Sequence, residues 1–211
     1  MVTAIQTRIN WRPAIAALLF ACATAEAAQL NAQVSLQSGQ PLADAVVTAT
    51  LLGTTPPARA RREIAIEQHN KQFSPLVSVA LTGTLVNFPN RDPFRHHVYS
   101  FSPAKTFEIK LYSGVPAKPV LFDKPGEVVL GCNIHDSMVA HVLIVDTPFF
   151  AKTDAQGRAV LDQLPAGDYE IRMWYPGGVG LPPPQKLRLG AADTTAVAFS
   201  FAGKALPPAT K

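Results

Sequence analysis

The stretch Cys132-Asn133-Ile134-His135-Asp136-Ser137-Met138 places a thiol, an imidazole and a thioether within seven residues of the chain. The residues before it, 127–131, have the sequence Glu-Val-Val-Leu-Gly, which is typical of a β-strand. We expect this strand to shield the sulfur of Cys132 at its end, with His135 and Met138 in the loop that follows. The pattern therefore predicts a β fold in which one strand end and its loop carry three metal-ligating side chains.

A further ligand is expected from a neighbouring strand, because one loop cannot surround a metal ion. His96 and His97 follow a long turn at residues 87–94 and begin a segment with strand character. Successive side chains of a strand point to opposite faces, so we expect one of the two to face Cys132, and either could be that one. Two histidines, one cysteine and one weakly held methionine are the ligands of a blue-copper site, so these residues predict one bound copper ion.

Zinc is the competing metal. One cysteine, two histidines and a water molecule can form a catalytic zinc site. Met138 is a poor zinc ligand, and Asp136 is the one carboxylate placed as an obvious base, so copper is the expected ion. His69 lies in a polar run and His141 in an apolar segment, and we expect neither to bind the metal.

The rest of the chain consists of short strand patterns separated by turn residues. The sequence has 211 residues and 19 prolines, which argue against long helices. The predicted fold class is therefore all-β, a sandwich or a pair of sandwiches, with a short helix as an alternative only between Phe149 and Asp154. Strands are expected at residues 33–36, 45–52, 63–67, 76–81, 84–88, 97–101, 106–111, 120–122, 127–130, 139–145, 158–161, 169–174, 186–189 and 195–201.

Residues 1–27 have the pattern of a secretory signal peptide. Two arginines supply the positive start, residues 14–25 form an apolar run too short to span a bilayer, and Ala25-Glu26-Ala27 is a small-x-small cleavage pattern. Cleavage would remove Cys22 and leave Cys132 as the single cysteine of the exported chain. An unpaired thiol in an oxidising compartment invites an explanation such as a bound metal. A lipoprotein signal ending at Cys22 is the alternative, which the bulky Phe20 disfavours.

Composition and charge exclude several function classes. The formal net charge is +4, and the small basic cluster of Arg59, Arg61 and Arg62 is not interleaved with aromatic side chains, so no nucleic acid partner is expected. No apolar segment is long enough to predict a membrane span. The sequence has no recognisable catalytic triad, phosphate-binding loop or carboxylate pair, so we expect no enzymatic activity.

Several segments between residues 63 and 147 carry the motifs of one known family. These are the spacing Cys132-x2-His135-x2-Met138, the segment Arg95-His96-His97-Val98-Tyr99-Ser100-Phe101-Ser102, the turn Phe-Asp-Lys-Pro-Gly at 122–126 and the opening Gly-Thr-Leu-Val-Asn-Phe at 83–88. The region resembles the cupredoxins, the plastocyanin and amicyanin group of blue-copper proteins, and bacterial plastocyanin-like proteins of the methylamine-utilisation type. This resemblance implies a Greek-key sandwich with one type 1 copper site.

The same resemblance implies a role for each ligand. Cys132 would form the covalent copper–sulfur bond, and His96 would be the buried imidazole. His135 would lie nearer the surface on the route of the electron, and Met138 would be the weak axial ligand. The family motif has the order His-polar-Val, which favours His96 over His97. His97 stands where the cupredoxins commonly have an asparagine, which is a departure from the family pattern.

Residues on both sides of this region resemble a second family. The segment Gly-Gln-Pro-Leu-Ala-Asp-Ala-Val-Val at 39–47, the turn at 153–158 and the segment Leu-Pro-Ala-Gly-Asp-Tyr at 164–169 resemble the carboxypeptidase regulatory-like, prealbumin-type β-sandwich. Insertion of one domain into a loop of another is tolerated. The expected organisation is a signal peptide (1–27), a discontinuous sandwich (28–62 plus 147–205), a cupredoxin domain (63–146) and a disordered tail (206–211).

The expected function is an exported, periplasmic copper protein that carries single electrons between redox partner proteins and catalyses no reaction alone. A second hypothesis is that the protein is a binding or structural module. The other sandwich would then make the functional contact, with a carbohydrate or another envelope component. A third is copper buffering or delivery. Polymer binding that survives Cys132→Ser would favour the second hypothesis, and fast copper release without redox cycling would favour the third.

Overall fold

The protein is an all-β molecule, as the sequence predicts. The structure is a computed structural model that describes residues 27–54 and 62–206, and these residues form seventeen strands and no helix. The predicted signal segment before residue 27, the basic residues Arg59 and Arg61 and the tail after residue 206 lie outside the described residues. The strands are β1 (Ala28–Leu36), β2 (Val46–Leu51), β3 (Glu63–Ala65), β4 (Glu67–His69), β5 (Gln72–Ser74), β6 (Val77–Leu81), β7 (Thr84–Asn87), β8 (His96–Ser102), β9 (Lys105–Tyr112), β10 (Val120–Phe122), β11 (Gly126–Gly131), β12 (Val139–Val145), β13 (Phe149–Lys152), β14 (Arg158–Leu164), β15 (Gly167–Trp174), β16 (Gln185–Leu189) and β17 (Thr194–Phe201).

Two local predictions are corrected by the pairing of strands. The segment Phe149–Lys152 is strand β13 and not a short helix, because it pairs antiparallel with β2 along its whole length. The single strand expected at 63–67 is divided into β3, which pairs with β7, and β4, which pairs with β5. β2 lies about a hundred residues before β13, and the short strand β5 was not predicted from the sequence. Local patterning alone was therefore not sufficient to identify either pairing.

Two sheets enclose a first hydrophobic core. The larger sheet has the order β6-β12-β11-β8-β9, and the smaller has the order β10-β7-β3. β11 and β12 are antiparallel from the pair Gly126 and Ile144 to the pair Gly131 and Val139, and β12 is parallel to β6. Burial of one large apolar side chain stabilises such a core by roughly 1.5–3 kcal/mol. The buried core residues are Ile66, Phe73, Ala80, Val86, Phe88, Val98, Ala104, Phe122, Val128, Leu130, Cys132, Met138, Ala140, Val142 and Ile144.

Two further sheets enclose a second core, built from the residues on either side of the first. Their strand orders are β13-β2-β15-β16 and β14-β1-β17. β1 and β17 are parallel over eight residue pairs, which joins the two ends of the described chain. The Tyr169 hydroxyl donates a hydrogen bond of 2.7 Å to the Pro165 carbonyl at the start of β15. The buried residues of this core come from 28–49 and 159–201 and are absent from the first core.

Lys152 joins the two groups of sheets. Its ammonium donates a hydrogen bond of 3.1 Å to the carbonyl of Val77 on the edge strand β6 and lies 2.7 Å from the Asp44 carboxylate.

Across the described ranges, there is no helix with the length and hydropathy needed to span a bilayer. What matters for the site is the neighbouring position of β8 and β11 in one sheet, because His96 begins β8 and Cys132 directly follows β11.

Candidate metal site

Cys132 and His96 meet at one end of the five-stranded sheet. β11 and β8 are antiparallel, with Gly131 opposite Tyr99, so the end of one strand lies beside the start of the other. Cys132 is a free thiol that is 3% exposed, and its Sγ lies 3.9 Å from Nδ1 of His96, which is fully buried. The strand pairing therefore supplies a dry thiol and an imidazole nitrogen that face each other.

His135 completes a cluster of three potential ligands. Its ring centroid lies 5.2 Å from that of His96, and the ligand atoms of His96, Cys132 and His135 all lie within 4.8 Å of one another. Nδ1 of His135 is buried and has no hydrogen-bond partner among the described residues. Donor atoms held about 2.0–2.3 Å from one ion stand roughly 3–4 Å apart. The cluster is close to that spacing, and a metal ion would give the unpaired nitrogen a partner.

Met138 lies in the same part of the molecule. Its backbone N–H donates a hydrogen bond of 2.9 Å to the His135 carbonyl, which closes the loop after Cys132. The side chain is 1% exposed and belongs to the same buried cluster as Cys132. One thiolate, two imidazoles and a nearby thioether form a soft donor set that suits copper better than the hard cations.

The two adjacent histidines have different partners. Nε2 of His96 lies 2.7 Å from Oδ2 of Asp92, so its other nitrogen is directed to the thiol. Nε2 of His97 lies 2.9 Å from Oε1 of Glu108, and its ring lies against Tyr99. His96 is thus the member of the pair that the structure brings to Cys132, and His97 contacts the neighbouring strand β9.

Asp92 and Phe94 contact the cluster and were not recognised in the sequence. Phe94 packs against both rings, with centroid distances of 5.1 Å to His96 and 5.7 Å to His135. The ammonium of Lys71 lies 5.8 Å from the centroid of Phe94. Asp92 lies in a turn, four residues before His96, and this spacing is the signal that could have identified it. The same spacing is common between a carboxylate and a histidine that have no functional role.

The carboxylate of Asp92 is held from two sides. Its side chain is 4% exposed, and besides His96 it accepts hydrogen bonds of 2.7 Å from the N–H of Asn70 and 3.0 Å from the N–H of Lys71. Burial raises the pKa of the Asp92 carboxyl, but the hydrogen bonds from His96, Lys71 and Asn70 outweigh it, so this pKa lies below its usual range. The group is therefore an ionised acceptor at neutral pH.

The remaining histidines lie apart from the cluster. His69 has a largely exposed side chain, and its Nδ1 is 3.7 Å from Oδ1 of Asp92. Nδ1 of His141 lies 3.4 Å from Oε1 of Glu127 on the adjacent strand. Burial lowers the pKa of His141, although Glu127 opposes that shift. Neither residue is among the three that share ligand-atom distances within 4.8 Å.

Comparisons with known proteins gave matches only among solved structures. No protein-family model matches the chain, and no curated protein matches it significantly. The copper-containing nitrite reductase of Thermus scotoductus SA-01 is 22% identical with a TM-score of 0.39, over 46% of this chain and 26% of its own. A reduced variant of amicyanin is 18% identical with a TM-score of 0.37, over 46% of this chain and 99% of its own. The purple cupredoxin of Nitrosopumilus maritimus is 22% identical with a TM-score of 0.34, over 40% and 99%. This chain thus spans about a quarter of the length of the nitrite reductase.

Proposed function

We propose that this protein is an exported type 1 copper protein of the cupredoxin kind that carries single electrons between periplasmic partners. The observation that supports the proposal is the convergence of His96, Cys132 and His135, whose ligand atoms lie within 4.8 Å of one another around a buried thiol. Met138 is the axial ligand in this proposal. Copper bound there would supply a one-electron couple.

In this proposal, the chain holds the buried ligands His96 and Cys132 rigidly and leaves the third ligand, His135, partly exposed to solvent. His96 and Cys132 are buried at paired strand ends, so their positions would change little when the charge of the site changes. His135 is only half-buried and is preceded by Ile134, which is 46% exposed. In this proposal, electrons enter and leave at the His135 side, because His135 is the one of the three ligands that reaches the surface.

We also propose that the two hydrophobic cores correspond to two domains, a cupredoxin domain at 63–146 and a discontinuous prealbumin-type sandwich at 28–62 plus 147–205. The support is that the buried residues of the two cores form separate clusters. The second domain has no catalytic role in this proposal, and the chain as a whole is an electron carrier and not an enzyme.

Addition of Cu(II) to the purified chain without residues 1–27 tests the proposed function. We expect an intense blue colour from charge transfer between thiolate and copper, and a reversible one-electron reduction. Cys132→Ser and His96→Ala should abolish the colour. His97→Ala is the matched control, since it removes the adjacent histidine that contacts Glu108, and it should keep the colour.

Two outcomes would contradict the proposal. A protein that stays colourless with copper and binds zinc at the same residues would be a zinc protein. A protein that binds copper and passes it to an acceptor chelator faster than it exchanges electrons would be a copper carrier.

A further inference from the structure

The buried carboxylate of Asp92 has four polar partners, although Asp92 lies in a turn. Oδ2 lies 2.7 Å from Nε2 of His96 and accepts the N–H of Lys71 at 3.0 Å, while Oδ1 accepts the N–H of Asn70 at 2.7 Å. Nδ1 of the exposed His69 lies 3.7 Å from Oδ1. An ionised carboxylate only accepts hydrogen bonds, so Nε2 of His96 must carry the proton of that contact.

We propose that Asp92 is a positioning residue for the metal ligand His96, which it holds with the Nδ1 lone pair directed at Cys132 and which it biases toward the cupric state. This inference rests on the proposed copper site. In a neutral imidazole, protonation of Nε2 leaves Nδ1 unprotonated, and Nδ1 is the nitrogen 3.9 Å from the Cys132 sulfur. Carboxylates that bind the second nitrogen of a ligand histidine fix its tautomer and raise its basicity.

The hairpin of β4 and β5 holds Asp92 in turn. Asn70 and Lys71 form its two-residue turn, and both have positive φ angles of 53° and 58°, as type I′ turns require. This geometry directs both of their N–H groups at the carboxylate. On the other side, the side chain of Asn90 accepts the N–H of Asp92 at 3.0 Å and donates to the carbonyls of Phe94 and Tyr112.

These contacts form a chain of hydrogen-bonded groups that leads from the hairpin turn to Cys132. The hairpin turn and Asn90 hold Asp92, Asp92 holds His96, and His96 faces the thiol. The charge of the carboxylate also matters, because a buried anion beside a ligand stabilises the more positive metal ion. Loss of that charge should therefore weaken Cu(II) binding more than Cu(I) binding.

Asp92→Asn tests this inference, because it keeps the shape of the side chain and removes its charge. We expect at least a tenfold loss of Cu(II) affinity relative to Cu(I), which is about 59 mV of higher reduction potential for a one-electron couple. Zinc, which has no redox change, should bind roughly 10–100-fold more weakly, as is usual when a ligand loses its carboxylate partner. Asp92→Ala should show at least the same effects.

Asp123→Asn is the matched charge control. Asp123 is an exposed carboxylate on the same group of sheets, 3.0 Å from Lys105, and its replacement should leave the potential and the zinc affinity unchanged. Thermal unfolding of every variant shows whether the fold is kept. An Asp92→Asn protein whose potential and zinc affinity match those of Asp123→Asn would overturn the inference, even if its melting temperature falls.

A measurement without metal separates this inference from the proposed function. The ¹⁵N chemical shifts of the metal-free protein report which ring nitrogen of His96 carries the proton. We expect the Nε2–H tautomer in the wild type and a shift toward the Nδ1–H tautomer in Asp92→Asn. An unchanged tautomer overturns the positioning role. A wild type that shows the expected tautomer but never binds copper overturns the copper proposal alone.

Discussion

The ring of Tyr99 occupies the space where Gly131 would carry a side chain. A Cβ at Gly131 would stand 2.7 Å from Cζ and 2.8 Å from Oη of Tyr99, and the two residues are opposite each other on β11 and β8. Cys132 follows Gly131 directly, and its Sγ lies 3.9 Å from Nδ1 of His96, which begins β8. The absence of a side chain at 131 therefore leaves the space that the Tyr99 ring occupies beside the site.

Gly131→Ala should destabilise the protein by about 1–3 kcal/mol, because the added methyl group must displace the Tyr99 ring. Urea unfolding measures the loss. In a Tyr99→Ala background the same substitution should cost at least about 1 kcal/mol less, since the obstructing ring is absent. Equal costs in the two backgrounds would show that the ring is not the obstacle.

Met138→Leu should raise the reduction potential of the copper-loaded protein while keeping the fold. Leucine has a similar volume, so we expect a loss of stability below about 1.5 kcal/mol. The thioether is the weak axial donor in the proposed site, and its removal favours the cuprous state. Protein-film voltammetry measures the potential.

Met173→Leu is the control for this prediction, because Met173 is buried in the other core and has the same chemistry. It should leave the potential unchanged. Equal shifts of the reduction potential in the two variants would show that Met138 is not a ligand of the metal.

A substitution in one of the two cores should destabilise that core and leave the other largely unaffected. Phe122→Ala, in the first core, should cost about 3–5 kcal/mol, and Ile171→Ala, in the second, about 2–5 kcal/mol. Hydrogen exchange followed by mass spectrometry should show faster exchange mainly in the sheets around the substituted residue. Acceleration of both cores to the same extent in both variants would mean that the chain unfolds as one unit and would contradict the two-domain proposal.

Tyr112 should make the protein less stable at alkaline pH. Burial raises the pKa of Tyr112 to about 12, partly offset by the hydrogen bond with Gln68, and the nearby Cys132 raises it further. An unfolded tyrosine loses its proton near pH 10. As the pH rises from about 10 to about 12, the unfolded state therefore releases this proton first, and folding becomes less favourable.

Tyr112→Phe removes this contribution. At pH 9 the variant should be less stable than the wild type by about 1 kcal/mol, because it lacks the hydrogen bond of 2.6 Å from the hydroxyl to the Phe88 carbonyl. The difference should narrow by pH 11 in urea unfolding. A constant difference across that range would show that Tyr112 does not titrate late in the folded protein.

The local parts of the site could be predicted from the sequence. Cys132, His135 and Met138 lie within seven residues, at the end of one strand and in the loop that follows it, so their spacing in the sequence keeps them near one another. Most strands were also predicted, because alternating apolar residues with turn residues between them indicate strands through local backbone preferences. The choice between His96 and His97 depended on a family resemblance and not on the residues alone.

Tertiary structure decided what surrounds those ligands. Nothing local distinguishes Asp92 from any carboxylate in a turn, and its orientation depends on Asn70 and Lys71, more than twenty residues earlier in the chain. Strand β13 likewise exists because β2, about a hundred residues before it, offers an edge for pairing. Short-range spacing follows from bond geometry, whereas the partner of a side chain or of a strand edge depends on which distant segments the folded core brings beside it.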